Sequence, residues 1–390
     1  MKKSILQRIP EHFRQKRELR AWAEPIAARN GLSADWIMAD CKKFWDDHAV
    51  KREEYEELSL CTQPTALREN FLGLNEQRVY LDYLNPKKYY IFSRNKFFAH
   101  QVFRRMGLPS AQLYVCFWPE GTPSFDGSVA TDLDGVMEAL QRRKASRFVV
   151  KAAENSHGEG VLVVDKIDYG ENDACLTKFD GTTVMLSSLL CTEPLVFESV
   201  VQQTAQFAAF NPSSVNTVRF MTLLYPDGTA RIMATFVKIG RPGRCVDNAG
   251  AGGNVDACID TETGTLQYAI QYDGLQNMRD IDSHPDSGAQ LNGVVVEDWV
   301  AIKEKVKQFQ QAFPYCKAAG WDVAITDNGP VIIEVNDFWD RTGQLFIRRG
   351  WRREVRDCYL AWKKEGREWP MGRDLNKLGD KRVQHIIYDF

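Results

Sequence analysis

Three oxygen-bearing side chains near the end of the chain, Asp322, Glu334 and Asn336, are spaced to meet on one surface. The runs WDVAIT and VIIEVN flank the turn Asp327-Asn328-Gly329-Pro330 and read as a β-hairpin. Residues two apart on a strand share a face, so Glu334 lies beside Asn336, with Asp322 across from them on the partner strand. Two carboxylates and an amide oxygen make a hard-oxygen set, the kind Mg²⁺ takes together with phosphate oxygens and water. The same residues also read as the solvent face of an amphipathic hairpin. A second group lies in mid-chain. Lys151 is near the end of the β-rich run RFVVKAA (147–153), and the loop Asn155-Ser156-His157-Gly158-Glu159-Gly160 joins it to GVLVVDKI (160–167). Gly158 and Gly160 would let backbone amides approach a polyphosphate closely while the lysine ammonium offsets its charge. The alternative is an ordinary glycine-rich hairpin with an exposed lysine, and His157 at its tip reads as a surface residue. Neither the P-loop spacing nor G-x-G-x-x-G is present.

These groups need elements to position them. Residues 95–106, NKFFAHQVFRRM, have helical spacing and stop at Gly107 with Pro109 just beyond. DLDGVMEALQRR (132–143) opens like a capped helix, and EDWVAIKEKVKQFQQA (297–312) is helical. Besides the runs already named, β-rich text occupies 113–118, 194–201, 218–225, 230–239 and 255–260, with an Asp-Gly turn in YPDGTA (225–230). Residues 1–84 read as helical, with Trp22, Trp36 and Trp45 and no βαβ pattern, and from about Leu345 the text is again helical, basic and aromatic. The expected class is α+β dominated by antiparallel hairpins. It divides into a helical region 1–84, a subdomain 85–200 with the glycine loop, a subdomain 201–345 with the oxygen ligands, and a helical tail 346–390.

A length of 390 residues allows two or three packed units, and 44% hydrophobic with 11% aromatic residues is a globular composition. A formal charge of −2 gives no global field to gather nucleic acid. The nine cysteines are odd in number and scattered with no C-x-x-C pair, which argues for reduced thiols and against a disulfide frame or a zinc site. In MKKSILQRIPEHFRQKRELR the apolar run is too short for a signal peptide, and no segment reaches the roughly 18 apolar residues of a membrane span. The expected location is the cytoplasm. Without G-x-S-x-G, H-E-x-x-H, H-R-D or D-F-G, readings as a hydrolase, metalloprotease or protein kinase lack support.

The order of the elements carries a resemblance. Lys96 at a helix start, Lys151 before the glycine loop, Glu198 in VFESVV, Arg219 in NTVRF, and Asp322 with Glu334-x-Asn336 resemble the ATP-grasp superfamily. The phrases FNPSSVNTVRFMTLL, DNAGAGGN and GWDVAITDNGPVIIEVN resemble more closely the sugar-transfer-associated ATP-grasp family, over about residues 90–345. The resemblance implies an ATP-grasp fold: two α+β subdomains whose antiparallel sheets grip ATP, here preceded by a helical region. It implies ATP and Mg²⁺, with Lys96, Lys151, Gly158 and Gly160 at the phosphates and the strand of Glu198 and Val200 at adenine. Arg219 would reach the γ-phosphate or an acyl phosphate, and Asp322, Glu334 and Asn336 would hold one or two Mg²⁺ ions. Glu198 also reads as a paired carboxylate at the core edge.

In KIGRPGRCVDNAGAGGN, Lys238 and Arg241 lie at a strand end, and Asn248, Gly252 and Gly253 echo the Arg-Asn-Gly-Gly loop of amino-acid-ligating relatives. That is a place for a carboxylate substrate and a tetrahedral intermediate; a purely structural turn is the alternative. Two departures from the family pattern are Asn95 where an Asp commonly precedes the lysine, and the lack of a Rossmann-like N-terminal subdomain. The implied activity is an ATP-dependent joining of a small carboxylate to an amine through an acyl phosphate, with release of ADP and phosphate. Amino acids or sugar acids are the implied substrates, in polysaccharide or small-metabolite biosynthesis. A kinase acting on a hydroxyl and a non-catalytic ATP-binding regulator stay open as alternatives. The N-terminal region and basic tail read as a cap over the cleft or as a homo-oligomer contact. Glu334→Gln and Asp322→Asn are both expected to abolish turnover with little loss of stability.

Overall fold

The computed structural model describes residues 11–154, 160–190, 192–243, 255–272, 274 and 278–365. They fall into two units, one taking the chain up to Val79 with Arg348–Arg352, the other Tyr80–Ile347 with the residues from Arg353. The first unit is helical, led by Glu11–Asn30 and Ala34–His48. The hydroxyl of Ser33 caps the second of these by accepting from the Trp36 amide, one of the donors a helix start leaves without an internal partner. Ile37, Phe44, Tyr55, Leu58 and Phe71 are buried in this unit, and Arg68 donates to Asp40 at its edge.

The second unit holds two seven-stranded sheets. The first contains β1 (Leu113–Phe117), β2 (Val129–Ala130), β3 (Phe148–Ala152), β4 (Leu162–Tyr169), β5 (Ala174–Lys178), β6 (Thr183–Met185) and β7 (Leu195–Ser199), in the order β2-β1-β7-β3-β4-β5-β6. The second contains β8 (Thr217–Leu224), β9 (Ala230–Ile239), β10 (Val255–Ile259), β11 (Leu266–Tyr272), β12 (Met278–Asp280), β13 (Ala318–Thr326) and β14 (Gly329–Asn336), in the order β12-β11-β10-β9-β8-β13-β14. Among these strands the β1–β2 pair runs parallel and the others pair antiparallel. The helices and β-rich runs expected from 95 to 336 are found, the hairpin of β13 and β14 among them. Strands β2, β5, β6, β11 and β12 are additions.

Side-chain alternation fixes which face of each sheet is apolar. In the first sheet Phe148, Val150, Val164, Leu176 and Phe197 pack with Val136, Met137 and Leu140 of the helix Leu133–Arg142, whose N-cap Asp132 accepts from the Gly135 amide. In the second sheet Val218, Phe220, Val237, Trp321, Val323 and Val335 pack with Trp299, Ile302, Val306 and Phe309 of the helix Trp299–Ala312. Burying each large apolar side chain contributes about 1.5–3 kcal/mol, and a one-residue slip would turn the whole set outward. The register is therefore strongly determined, and it leaves Val149, Lys151 and Glu198 on the opposite face of one sheet, and Arg219, Asp322 and Glu334 on the opposite face of the other.

Candidate active site

The second sheet carries a row of charge. Asp322 on β13 is directly opposite Glu334 on β14 and Arg219 on β8, and Arg219 is opposite Phe236 on β9, two residues before Lys238. Cross-strand partners share a face, so side chains far apart in sequence meet here. The Arg219 guanidinium forks onto Asp322, with Nε 2.6 Å from Oδ1 and Nη2 2.8 Å from Oδ2, and the Lys238 ammonium lies 3.2 Å from Oδ2. Asp322 is only 3% exposed. Burial would push its carboxyl up, but Arg219 and then Lys238 outweigh that effect and hold it down at about 2. Asp322 is thus not a solvent-facing hairpin residue. Glu334 and Asn336 are half-buried beside it.

The backbone around Gly320 makes this packing possible. A methyl group there would come 3.1 Å from Cδ1 of Trp339 and 3.4 Å from Cδ of Arg219, so the glycine leaves the room in which the Arg219 stem runs toward Asp322. The Gly320 carbonyl also accepts from Asn336 Nδ2 at 3.4 Å, which leaves Asn336 Oδ1 for another partner.

The first sheet carries the complementary group. Lys151 on β3 forms an ion pair with Glu198 on β7, and His100 Nε2 lies 2.7 Å from the other carboxylate oxygen of Glu198. Burial would raise the Glu198 carboxyl, yet the Lys151 charge and the His100 hydrogen bond bring it down to about 2. His100 comes from the helix Lys96–Arg105, four residues after Lys96 and hence on the same side. Asn95 caps that helix by accepting from the Phe98 amide, and the Lys96 amide donates to the Ala153 carbonyl at 2.8 Å. An asparagine therefore serves as the N-cap.

Lys96 links the two groups. Its ammonium is pushed below the usual lysine range, first by burial, and the charges acting on it are those of Glu334, Lys151 and Glu198. The charges of Lys151 and Glu198 on one sheet and of Glu334 on the other therefore act together on Lys96. Val200 follows directly after β7 and is half-buried. Gly160 has a left-handed φ of +72°, with nothing within 4 Å of where a Cβ would stand. Arg241 is engaged elsewhere, by the Asp286 carboxylate, to which its Nη2 donates at 2.8 Å. Gly158, Asn248, Gly252, Gly253 and His157 lie outside the described residues, as does the tail beyond 365.

Sequence reasoning missed His100, Asp286, and the group formed by Ser93, Arg94 and Asp337. Only His100 had a usable signal, its spacing from Lys96. Among the described residues no group of three or more His, Cys, Asp or Glu side chains is arranged to hold a metal ion. The oxygens of Glu334, Asn336 and Asp322 fit a hard cation chemically, and the carboxylate of Asp322 keeps lone pairs beyond those its two cations engage. No described helix is long and apolar enough to cross a membrane.

Two antiparallel-rich sheets thus each carry a buried charged group, Lys151 with Glu198 on one and Arg219, Asp322 and Lys238 on the other. The sequence profile described as sugar-transfer associated ATP-grasp matches residues 75–357, and the chain belongs to that family. Its fold is accordingly the α+β ATP-grasp fold, with a helical N-terminal region. No curated protein matches the sequence. Among solved structures, a D-alanine–D-alanine ligase from Bacillus anthracis is similar at 14% identity over 70% of this chain and 69% of that one, with a TM-score of 0.36. A phosphoribosylamine–glycine ligase from Thermotoga maritima is similar at 12% identity over 74% and 61%, with a TM-score of 0.42. An L-amino acid ligase from Bacillus licheniformis is similar at 16% identity over 66% and 46%, with a TM-score of 0.36. At such scores these likenesses carry no argument, and the assignment rests on the family match.

Proposed function

We propose that this protein is an ATP-dependent carboxylate–amine ligase whose cofactors are ATP and Mg²⁺. The observation that carries the reading is the joint action of the Lys151, Glu198 and Glu334 charges on Lys96, with Glu334 opposite Asp322 and on the same strand as Asn336. The family assignment supports it.

In this reading Lys96 and Lys151 bind the phosphates, and Glu198 with His100 keeps the Lys151 ammonium in place. The residues from Glu198 to Val200 form the edge that receives adenine. Glu334, Asn336 and Asp322 hold Mg²⁺, which when bound offsets charge on the phosphates. Arg219 is fixed by its fork to Asp322 and so is oriented in advance toward a planar oxyanion. A substrate carboxylate oxygen takes the terminal phosphoryl group and ADP leaves. The amine nitrogen then attacks the acyl carbon, phosphate departs, and the amine loses a proton as the amide forms. Lys238, Arg241 and Asn248 are assigned to the carboxylate and the tetrahedral intermediate, with Asp286 holding the Arg241 guanidinium. Positioning and charge complementarity carry the reaction without a protein nucleophile. Amino acids and sugar acids are the substrate class.

The test is ADP release from the purified protein against a panel of amino acids and sugar acids, with Glu334→Gln alongside. ADP and phosphate should appear only when a carboxylate and an amine are both present, and Glu334→Gln should lose that turnover while keeping its fold. Turnover that leaves a phosphoryl group on a hydroxyl would replace the ligase with a kinase. Wild-type turnover in Glu334→Gln would remove the metal assignment.

A further inference from the structure

The segment from Tyr90 to Lys96 is fastened at both ends, to one sheet through Asp337 and to the other through Ala153. Asp337 follows Asn336 at the end of β14 and is 3% exposed. Arg94 forks onto it, with Nε 2.9 Å from Oδ2 and Nη2 2.7 Å from Oδ1, and the Ser93 hydroxyl donates to Oδ2 at 2.5 Å. The guanidinium lies 3.8 Å from the centre of the Tyr90 ring, which restricts its remaining freedom. Asn85 reinforces the far side: its Nδ2 donates to the Asp337 carbonyl at 2.5 Å and to the Ala318 carbonyl at 2.7 Å. Two residues beyond Arg94, the Lys96 amide donates to Ala153 just past β3, and Asn95 Nδ2 donates to Glu154 at 3.0 Å.

Chain distances give this arrangement its meaning. Asp337 is one residue from Asn336, and Arg94 is two residues from Lys96. The Arg94–Asp337 fork therefore sets the separation between a phosphate-binding lysine and the strand proposed to hold Mg²⁺. The Arg94 side chain is itself 55% exposed. The Asp337 side chain it forks onto is 3% exposed, and two parallel N–H···O bonds fix the guanidinium and carboxylate in one plane, a geometry that a single point-charge contact does not impose.

The geometry points to Arg94 and Asp337 as positioning residues that couple the lysine clamp to the metal-binding strand. This inference rests on the Mg-ATP reading above. Neither residue touches nucleotide; both act through Lys96 and Asn336. Because a misplacement of about 1 Å can cost on the order of 100-fold, losing the fork weakens cooperation between clamp and metal more than it weakens either alone.

The experiment compares nucleotide affinity of the full chain for ATP in EDTA and for ATP with excess Mg²⁺, in wild type, Arg94→Gln, Arg94→Lys and Asp337→Asn. Wild type gains affinity when Mg²⁺ is added. Arg94→Gln should keep its metal-free affinity within about twofold while its gain from Mg²⁺ falls on the order of tenfold or more. Arg94→Lys keeps the charge but lacks the planar fork, so it should recover only part of the gain. Asp337→Asn keeps the side-chain shape and should fall with Arg94→Gln. A Mg²⁺ gain in Arg94→Gln equal to that of wild type overturns the inference and leaves the nucleotide site standing. Absence of any Mg²⁺ gain in wild type overturns both.

Discussion

Asp322→Asn is the sharpest probe of the charge row. The carboxylate is held between two cations whose side chains are themselves mostly buried, Arg219 at 15% and Lys238 at 8% exposure. Solvent screening is weak there. The fall of its pKa from an ordinary 3.8 to about 2 is worth about 2 kcal/mol in favour of the charged form. Asparagine preserves the shape but leaves two cations facing a neutral amide, and removing one partner of a buried ion pair costs about 3–5 kcal/mol. We expect a loss of about 3 kcal/mol, against less than about 1 kcal/mol for Glu334→Gln at its half-buried position. The expectation from sequence that both changes would be nearly neutral for stability is therefore kept as a prediction for Glu334 and revised for Asp322, which is buried between two cations. Urea unfolding followed by tryptophan fluorescence is the assay, since Trp321 and Trp339 are buried in the same unit.

The pH dependence gives a second, independent readout of the same variant. Asp322 and Glu198 have depressed pKa values in the folded chain, from ordinary values of 3.8 and 4.5 to about 2 in both. Between about pH 4.5 and pH 2 the unfolded chain binds more protons than the folded one, so stability rises with pH across that window. The contribution of both groups is complete above the window and lost as pH falls to its lower end. Asp322→Asn lacks its share and should show a shallower acid loss. If Asp322→Asn unfolds within 1 kcal/mol of wild type and loses stability as steeply between pH 4.5 and 2, the charge-row argument is wrong.

Two further outcomes follow from the packing. Gly320→Ala forces the Trp339 ring or the Arg219 stem aside by a few tenths of an ångström, and overpacking of this kind costs about 1–3 kcal/mol; its readouts are urea unfolding and ATP affinity, both of which should fall. His100→Ala removes the hydrogen bond to one oxygen of Glu198, for which about 1.5–3 kcal/mol is the typical cost with a charged partner, and should bring the Glu198 share of the acid loss to higher pH. An unchanged acid transition in His100→Ala would show that Lys151 alone sets the Glu198 pKa.

The parts of the site legible in the sequence were local. The Asp322–Glu334 pairing follows from a tight turn and a period of two, both contained within a few residues. The helix start at Lys96 and the β3–β4 pairing are local in the same sense. Strands β6 and β12, at three residues each, are too short for alternation to show. The contact between Arg241 and Asp286, on either side of β10, β11 and β12, was out of reach for that reason. The roles assigned to Gly158 and Asn248 still stand on the resemblance.

Composition, hairpin spacing and motif order by themselves determined the α+β class, the family and the identity of most of the charged residues around the site. Only the tertiary structure decided what those charges do to one another. It set Arg219 against Asp322 across 103 residues, His100 against Glu198 across 98, and Arg94 against Asp337 across 243. The physical reason is that periodicity places a side chain on a face, whereas burial of the opposite apolar face in two separate cores selects which strands become neighbours. That selection buried the expected ligand Asp322 between two cations, and brought an unremarked arginine to the residue beside Asn336.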